Sequence, residues 1–285
     1  MMKINLTHHK LLLTLITPLI TVGSISLSVP SQAATIVSIS EIRLTINHVN
    51  QFAEDVSVIG DINTVAMAEE GTAQNQIAWD ALFWADDSTV FAHANFQTLA
   101  VGTGSEYLLK TDIFTKLLGH FSIAAGNFLQ FDVTASLYLE NFVEDWHLDN
   151  ASASGGISLK LFEHSTQSSL NLFNIFSFIN TNDDQELNQD FFKLNISPDL
   201  ILTSYDEQFL FGDNQEAIRV DFTGVFQQYF EQDTELDLIA VTQSCNSGSN
   251  TVDFCQKVPE VSNTFALIFL GLWVSSWNWL FRIMK

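Results

Sequence analysis

Positive charge is scarce in this chain: 11 Lys and Arg stand against 33 Asp and Glu among 285 residues, for a formal net charge of −22. Between residues 34 and 257 the shortage is sharper, with 7 basic residues facing 32 acidic ones. Release of counterions from a nucleic acid needs clustered Lys and Arg, and attraction to an anionic lipid surface needs the same. This acidic body is therefore expected to bind no nucleic acid, while divalent cations and neutral or cationic polymers stay compatible with it. Cysteine is nearly absent, occurring only at Cys245 and Cys255, so no second pair completes a four-ligand zinc site. Catalytic signatures are missing too. There is no Gly-x-Ser-x-Gly elbow, no His-Glu-x-x-His helix and no phosphate-cradling glycine loop with its Lys. His48, His93, His120, His147 and His164 are dispersed along the sequence and read as ordinary surface or half-buried residues. Acidic pairs such as Glu69-Glu70, Asp86-Asp87, Glu144-Asp145 and Asp183-Asp184 read as solvated loops; two of them across a cleft would serve glycoside hydrolysis. No catalytic residue is assigned.

What the chain does have is apolar content, 47% with 24 Phe, enough to build a core. Part of it sits at the two ends. Met1 to Lys10 carries Lys3 and Lys10 without an acid, Leu11 to Val22 is largely apolar, and Ser31-Gln32-Ala33 offers small residues where a signal peptidase reads them. Residues 1–33 are expected to be a signal peptide, cut between Ala33 and Ala34. Pro18 and the short apolar run argue against an uncleaved anchor. At the other end, Thr264 to Phe281 holds no charge and is followed by Arg282 and Lys285. Trp273, Trp277 and Trp279 crowd its distal half, where amphipathic rings favour a membrane interface, and the terminal cations favour the cytoplasmic side. A transmembrane helix with the acidic domain outside follows from that pattern.

Val258-Pro259-Glu260, a short polar step, the apolar span and the terminal basic residues together resemble the C-terminal sorting tail of bacterial PEP-CTERM proteins, with Val261 where the family has a second proline. Segments Ser88 to Ser105, Asn127 to Leu139 and Ala151 to Leu161 are similar to exported proteins of this type common in cyanobacteria. The resemblance implies an address: export, anchoring through residues 258–285, and recognition by an exosortase-type sorting protease. It implies no activity.

Within the body the dominant period is two. Phe131, Val133, Ala135, Leu137 and Leu139 alternate with Asp132, Thr134, Ser136, Tyr138 and Glu140, and the same pattern recurs at Ile157 to Leu161 and Ile218 to Phe226. Further β-rich runs at Ile36 to Asn47, Thr89 to Leu99, Leu170 to Ile179, Phe191 to Leu202 and Leu236 to Thr242 are separated by turn clusters such as Gly102-Thr103-Gly104-Ser105. Residues 73–86 fit a helix or a strand, and strand is favoured. Eight to ten strands predict an all-β, antiparallel, two-sheet β-sandwich of jelly-roll type over residues 34–243. Residues 244–257 read as a stalk closed by a Cys245–Cys255 disulfide, which an oxidising compartment favours. Asn182, Asp183, Asp184 and Glu186 gather hard oxygen ligands but lack the central Gly of an EF-hand loop, so they are weak calcium candidates. Trp79, Trp84 and Trp146 read as core residues, with a sugar-stacking platform as the alternative. The sequence thus points to an exported, non-enzymatic surface or matrix protein; the alternative is a carbohydrate-binding module or a glycoside hydrolase acting on exopolysaccharide.

Overall fold

Successive side chains on a strand point to opposite faces, so alternating apolar and polar residues form strands that cover a core on one side. The computed structural model describes residues 36–86, 89–144, 150–181, 190–212, 214–249 and 255. Ten strands fill them: β1 (Ile36–Asn47), β2 (Asp55–Ala85), β3 (Val90–Ile123), β4 (Phe128–Val143), β5 (Asn150–Glu163), β6 (Ser168–Asn180), β7 (Phe191–Ile196), β8 (Leu200–Leu210), β9 (Gln215–Tyr229) and β10 (Thr234–Ser249). Of the ambiguous residues 73–86, all up to Ala85 are strand, as favoured. Among the described residues no helix is long and apolar enough to cross a membrane. The expected signal peptide and the span Thr264 to Phe281 lie outside the described residues.

Hydrogen bonding runs in one ladder ordered β7-β6-β5-β10-β3-β1-β4-β9-β8, with β2 on the flank of β3. The ladder folds over on itself because β2 and β3 are long enough to serve twice. Ala92 to Gly102 of β3 pair with β1, whereas Leu108 to Ile123 pair with β10, and β2 follows β3 through both halves. Two antiparallel sheets of six strands result. The first holds β8, β9, β4, β1, the leading half of β3 and the trailing half of β2. The second holds β7, β6, β5, β10, the trailing half of β3 and the leading half of β2.

The turn expected at Gly102 to Ser105 is instead a bend inside an unbroken strand. Gly104 and Gly71 both hold positive φ, 105° and 118°, and the β2–β3 register shifts between Ala68 and Glu70 and again between Glu70 and Thr72. A bulge of this kind turns a strand pair without ending it. A Cβ on Gly71 would stand 1.8 Å from the Thr103 carbonyl oxygen, so a side chain there is excluded. The run expected over Phe191 to Leu202 is likewise two strands. The Ser197 to Asp199 turn divides it, with Leu200 N bonded to Ser197 O at 3.1 Å, and sends β7 and β8 to different sheets.

The core lies between the sheets. Phe173 of β6 meets Phe222 of β9 edge to face at 4.8 Å, and Phe121, Phe131 and Phe226 are fully buried beside Ile42, Leu44 and Leu137. Each such side chain contributes roughly 1.5–3 kcal/mol on burial. Gly155 on β5 marks a close approach, since a Cβ there would stand 2.6 Å from Leu137 Cδ1 on the facing β4.

Along β1 and β3 the interior changes chemistry. A small apolar cluster of Ile36, Ala100, Tyr107, Leu109, Val143 and Ala151 is separated from the main core by hydroxyl and amide side chains. Ser38 Oγ donates to Asn141 Oδ1 at 2.8 Å, Asn246 Nδ2 donates to Ser38 Oγ at 3.1 Å, and Thr98 Oγ1 donates to Asn246 Oδ1 at 2.9 Å. Ser40 hydrogen-bonds both Thr98 and Ser244. These partners let the Ser- and Asn-rich end of β10 enter the sandwich. The strand therefore runs to Ser249, past the boundary expected at residue 243.

Candidate functional site

Cys245 lies near the end of β10, and Cys255 follows six residues after the strand ends. Their sulfurs are at disulfide distance, with Cα atoms 5.7 Å apart, as the spacing predicts. Neither is in an exposed stalk. Cys245 and Cys255 are 5% and 1% exposed and pack with Phe176, Phe178 and Phe191 on the outer face of the second sheet. The bond therefore holds Cys255 against Phe176 and Phe178 of β6 and Phe191 of β7. Ala33, Ala34, the motif Val258, Pro259 and Glu260, and the calcium candidates Asn182, Asp183, Asp184 and Glu186 all lie outside the described residues.

Strand pairing brings together histidines that the sequence scatters. His48 Nδ1, just past the end of β1, is 2.7 Å from Asp132 Oδ2, and His93 Nε2 of β3 is 2.9 Å from Asp80 Oδ2 of β2. A denser arrangement occupies the outer face of the second sheet. Asp237 of β10 is in register with His120 of β3 on one side and with Phe162 of β5 on the other. His164, two residues past Phe162, points to the same face. His120 Nδ1 lies 2.9 Å from Asp237 Oδ1, and His164 Nε2 lies 3.1 Å from Asp237 Oδ2. The His120 and His164 rings meet edge to face at 5.3 Å, and Phe162 packs against His164 at the same separation. All three polar side chains are half-buried. Among the described residues they form a group close enough to ligate one ion. Nothing in the sequence marks it, because His120 and His164 are 44 positions apart and share a face only through β10.

Among the described residues, a buried carboxyl lies against a half-buried one. Glu216, at the inward-facing start of β9 beside Asn141, is 3% exposed and hydrogen-bonds Asp190, which also accepts the Asn180 backbone N–H at 3.1 Å. Burial, followed by the charge of Asp190, pushes the Glu216 carboxyl up to about 8, and burial raises Asp190 as well. Two carboxyls in direct contact cannot flank a glycosidic bond, which needs roughly 5 Å or more between them. Trp79 and Trp84, 40% and 48% exposed, are not core residues. They stand five positions apart on β2, so they occupy opposite faces of the strand and form no shared platform. Their ring N–H groups are held by Thr115 Oγ1 and Asp86 Oδ2. An open depression at one end of the sandwich, lined by Leu161, Glu163, Asp199, Gln228, Phe230 and Leu236, offers acids but no histidine or cysteine.

No protein family, curated protein or solved structure matches this chain.

Proposed function

We propose that the chain is an exported, non-enzymatic cell-surface or extracellular-matrix protein: a jelly-roll-like sandwich held to the envelope through a PEP-CTERM-like tail. In this reading signal peptidase removes residues 1–33, and residues 258–285 anchor the chain as an apolar helix and present Val258-Pro259-Glu260 to an exosortase-type protease. The observation that carries it is the Cys245–Cys255 pair, whose sulfurs sit at bonding distance beside Phe176. A disulfide persists in an oxidising compartment and is rare in a reducing cytosol, so a built-in pair supports export. The pair also joins the sandwich to the segment leading into the tail, which suits a domain displayed from a membrane. The acidic surface favours solubility outside the cell and the binding of cations or neutral polymers. Against an enzyme stand the separation of Trp79 from Trp84 and the direct contact between Glu216 and Asp190.

The test is fractionation of the expressing cell with protease added from outside. The full chain should sediment with the envelope and be degraded by external protease, and a chain stopped after Lys257 should leave the envelope fraction. Recovery of the full chain in the cytoplasm, protected from protease, would overturn the proposal.

A further inference from the structure

We propose that His120, His164 and Asp237 bind one divalent transition-metal ion of the zinc type, which clamps β3, β10 and the end of β5 on the outer face of the second sheet. Two strands and the turn that follows β5 deliver these side chains to one point, with two imidazole nitrogens 2.9 Å and 3.1 Å from the two oxygens of a single carboxylate. Donors around a zinc ion at bond lengths of about 2.0–2.2 Å stand a little over 3 Å apart in a tetrahedron, so a small outward movement of the side chains seats the ion.

A second observation points to a ligand. His164 Nε2 is shielded from solvent and makes no hydrogen bond, although Asp237 Oδ2 is 3.1 Å away. The contact has the distance of a hydrogen bond without its geometry. A buried polar atom left without a partner is costly, and a metal ion between nitrogen and oxygen satisfies both. The rings are also held in place: Phe162 packs on the edge of His164, and His164 on the edge of His120. Metal ligands need that kind of support to keep their orientation.

The donor set selects the ion. Calcium and magnesium take oxygen ligands, whereas two imidazoles and one carboxylate suit zinc and its first-row neighbours. Three protein donors leave one position for water. Asp55 of β2 pairs with His120 on the side away from Asp237, adding negative charge to the same row. The ion thereby bridges positions that are 117 residues apart in sequence.

The full chain, purified in detergent without a polyhistidine tag, is titrated with Zn²⁺ by calorimetry and thermal melting. We expect uptake of an ion that His164→Ala and Asp237→Asn each abolish and that His93→Ala leaves intact. Melting should rise by about 5 °C at a hundredfold excess over Kd, and Ca²⁺ should not reproduce the shift. Co²⁺ bound to the unaltered chain should give the intense visible absorption of a four- or five-coordinate site. Absence of uptake, uptake unchanged in both site variants, or a weak six-coordinate Co²⁺ spectrum would overturn the proposal, and the last holds even where a variant fails to fold.

Discussion

Glu216 is buried against Asp190, and the two carboxyls are joined by a hydrogen bond at the edge of the polar interior. Their contact makes stability depend on pH in a direction opposite to that of a surface carboxylate. Glu216 holds its proton up to about pH 8 when folded, against 4.5 in the unfolded chain, chiefly because burial disfavours the charge. The folded state therefore binds more protons between those values. This contribution is complete below the unfolded value and is lost as pH rises through the folded one. Glu216→Gln, neutral at every pH, should flatten the decline, with a gain on the order of 2 kcal/mol over the unaltered protein at pH 8.5 and little difference at pH 4.5. Urea titrations at the two pH values measure it. An equal effect at both pH values would contradict the shared-proton account.

Asn246 should be among the least replaceable polar residues. Its amide links Ser38 on β1 and Thr98 on β3 to β10 across a buried layer. Asn246→Ala strands those partners away from water and should cost about 2–3 kcal/mol, read as a lowered denaturation midpoint. A surface residue of the same strand, such as Glu235→Ala, should change it by less than about 0.5 kcal/mol.

The disulfide should matter to stability as well as to location. Replacing Cys245 and Cys255 together by Ala opens a short loop and should cost about 3 kcal/mol in the chain-entropy description. Reduction of the unaltered protein should bring it to the same midpoint. If the double variant is as stable as the oxidised protein, the bond does not hold Cys255 onto the sheet.

The tail is expected to govern address rather than folding. A chain of residues 34–257 retains every described strand and removes the apolar span, so it should fold, remain soluble and lose envelope association. Its melting temperature should match that of the complete protein in detergent. Aggregation of the shortened chain would mean that residues 258–285 belong to the core.

Much of the sandwich was legible because alternation is a local signal. The pattern from Phe131 to Leu139 placed β4, and Ile36 to Asn47 delimits β1 to the residue. Two kinds of feature escaped it. Gly102 to Ser105 carries the composition of a turn, yet paired positive-φ glycines on β2 and β3 convert it into a bend that lets one strand serve both sheets. Ser244 to Ser249 carries the composition of a linker, yet Ser40, Thr98 and Ser38 supply the hydrogen bonds that make it a buried strand end. Composition reports what a segment prefers alone, and these partners come from strands more than a hundred residues away. The same holds for His120, His164 and Asp237, whose meeting depends on which strands neighbour β10. The cysteine pair was legible because ten residues of separation suffice for the chain to close on itself.

The central claim, that this sandwich is exported, oxidised and processed at its N-terminus, is tested most directly by intact mass spectrometry of the protein recovered from the envelope of the expressing cell. The account predicts a chain beginning at Ala34 and two mass units lighter than its fully reduced form, with Cys245 and Cys255 joined in one proteolytic fragment. A chain still carrying Met1 to Ala33, with both thiols free to alkylation without prior reduction, would contradict it.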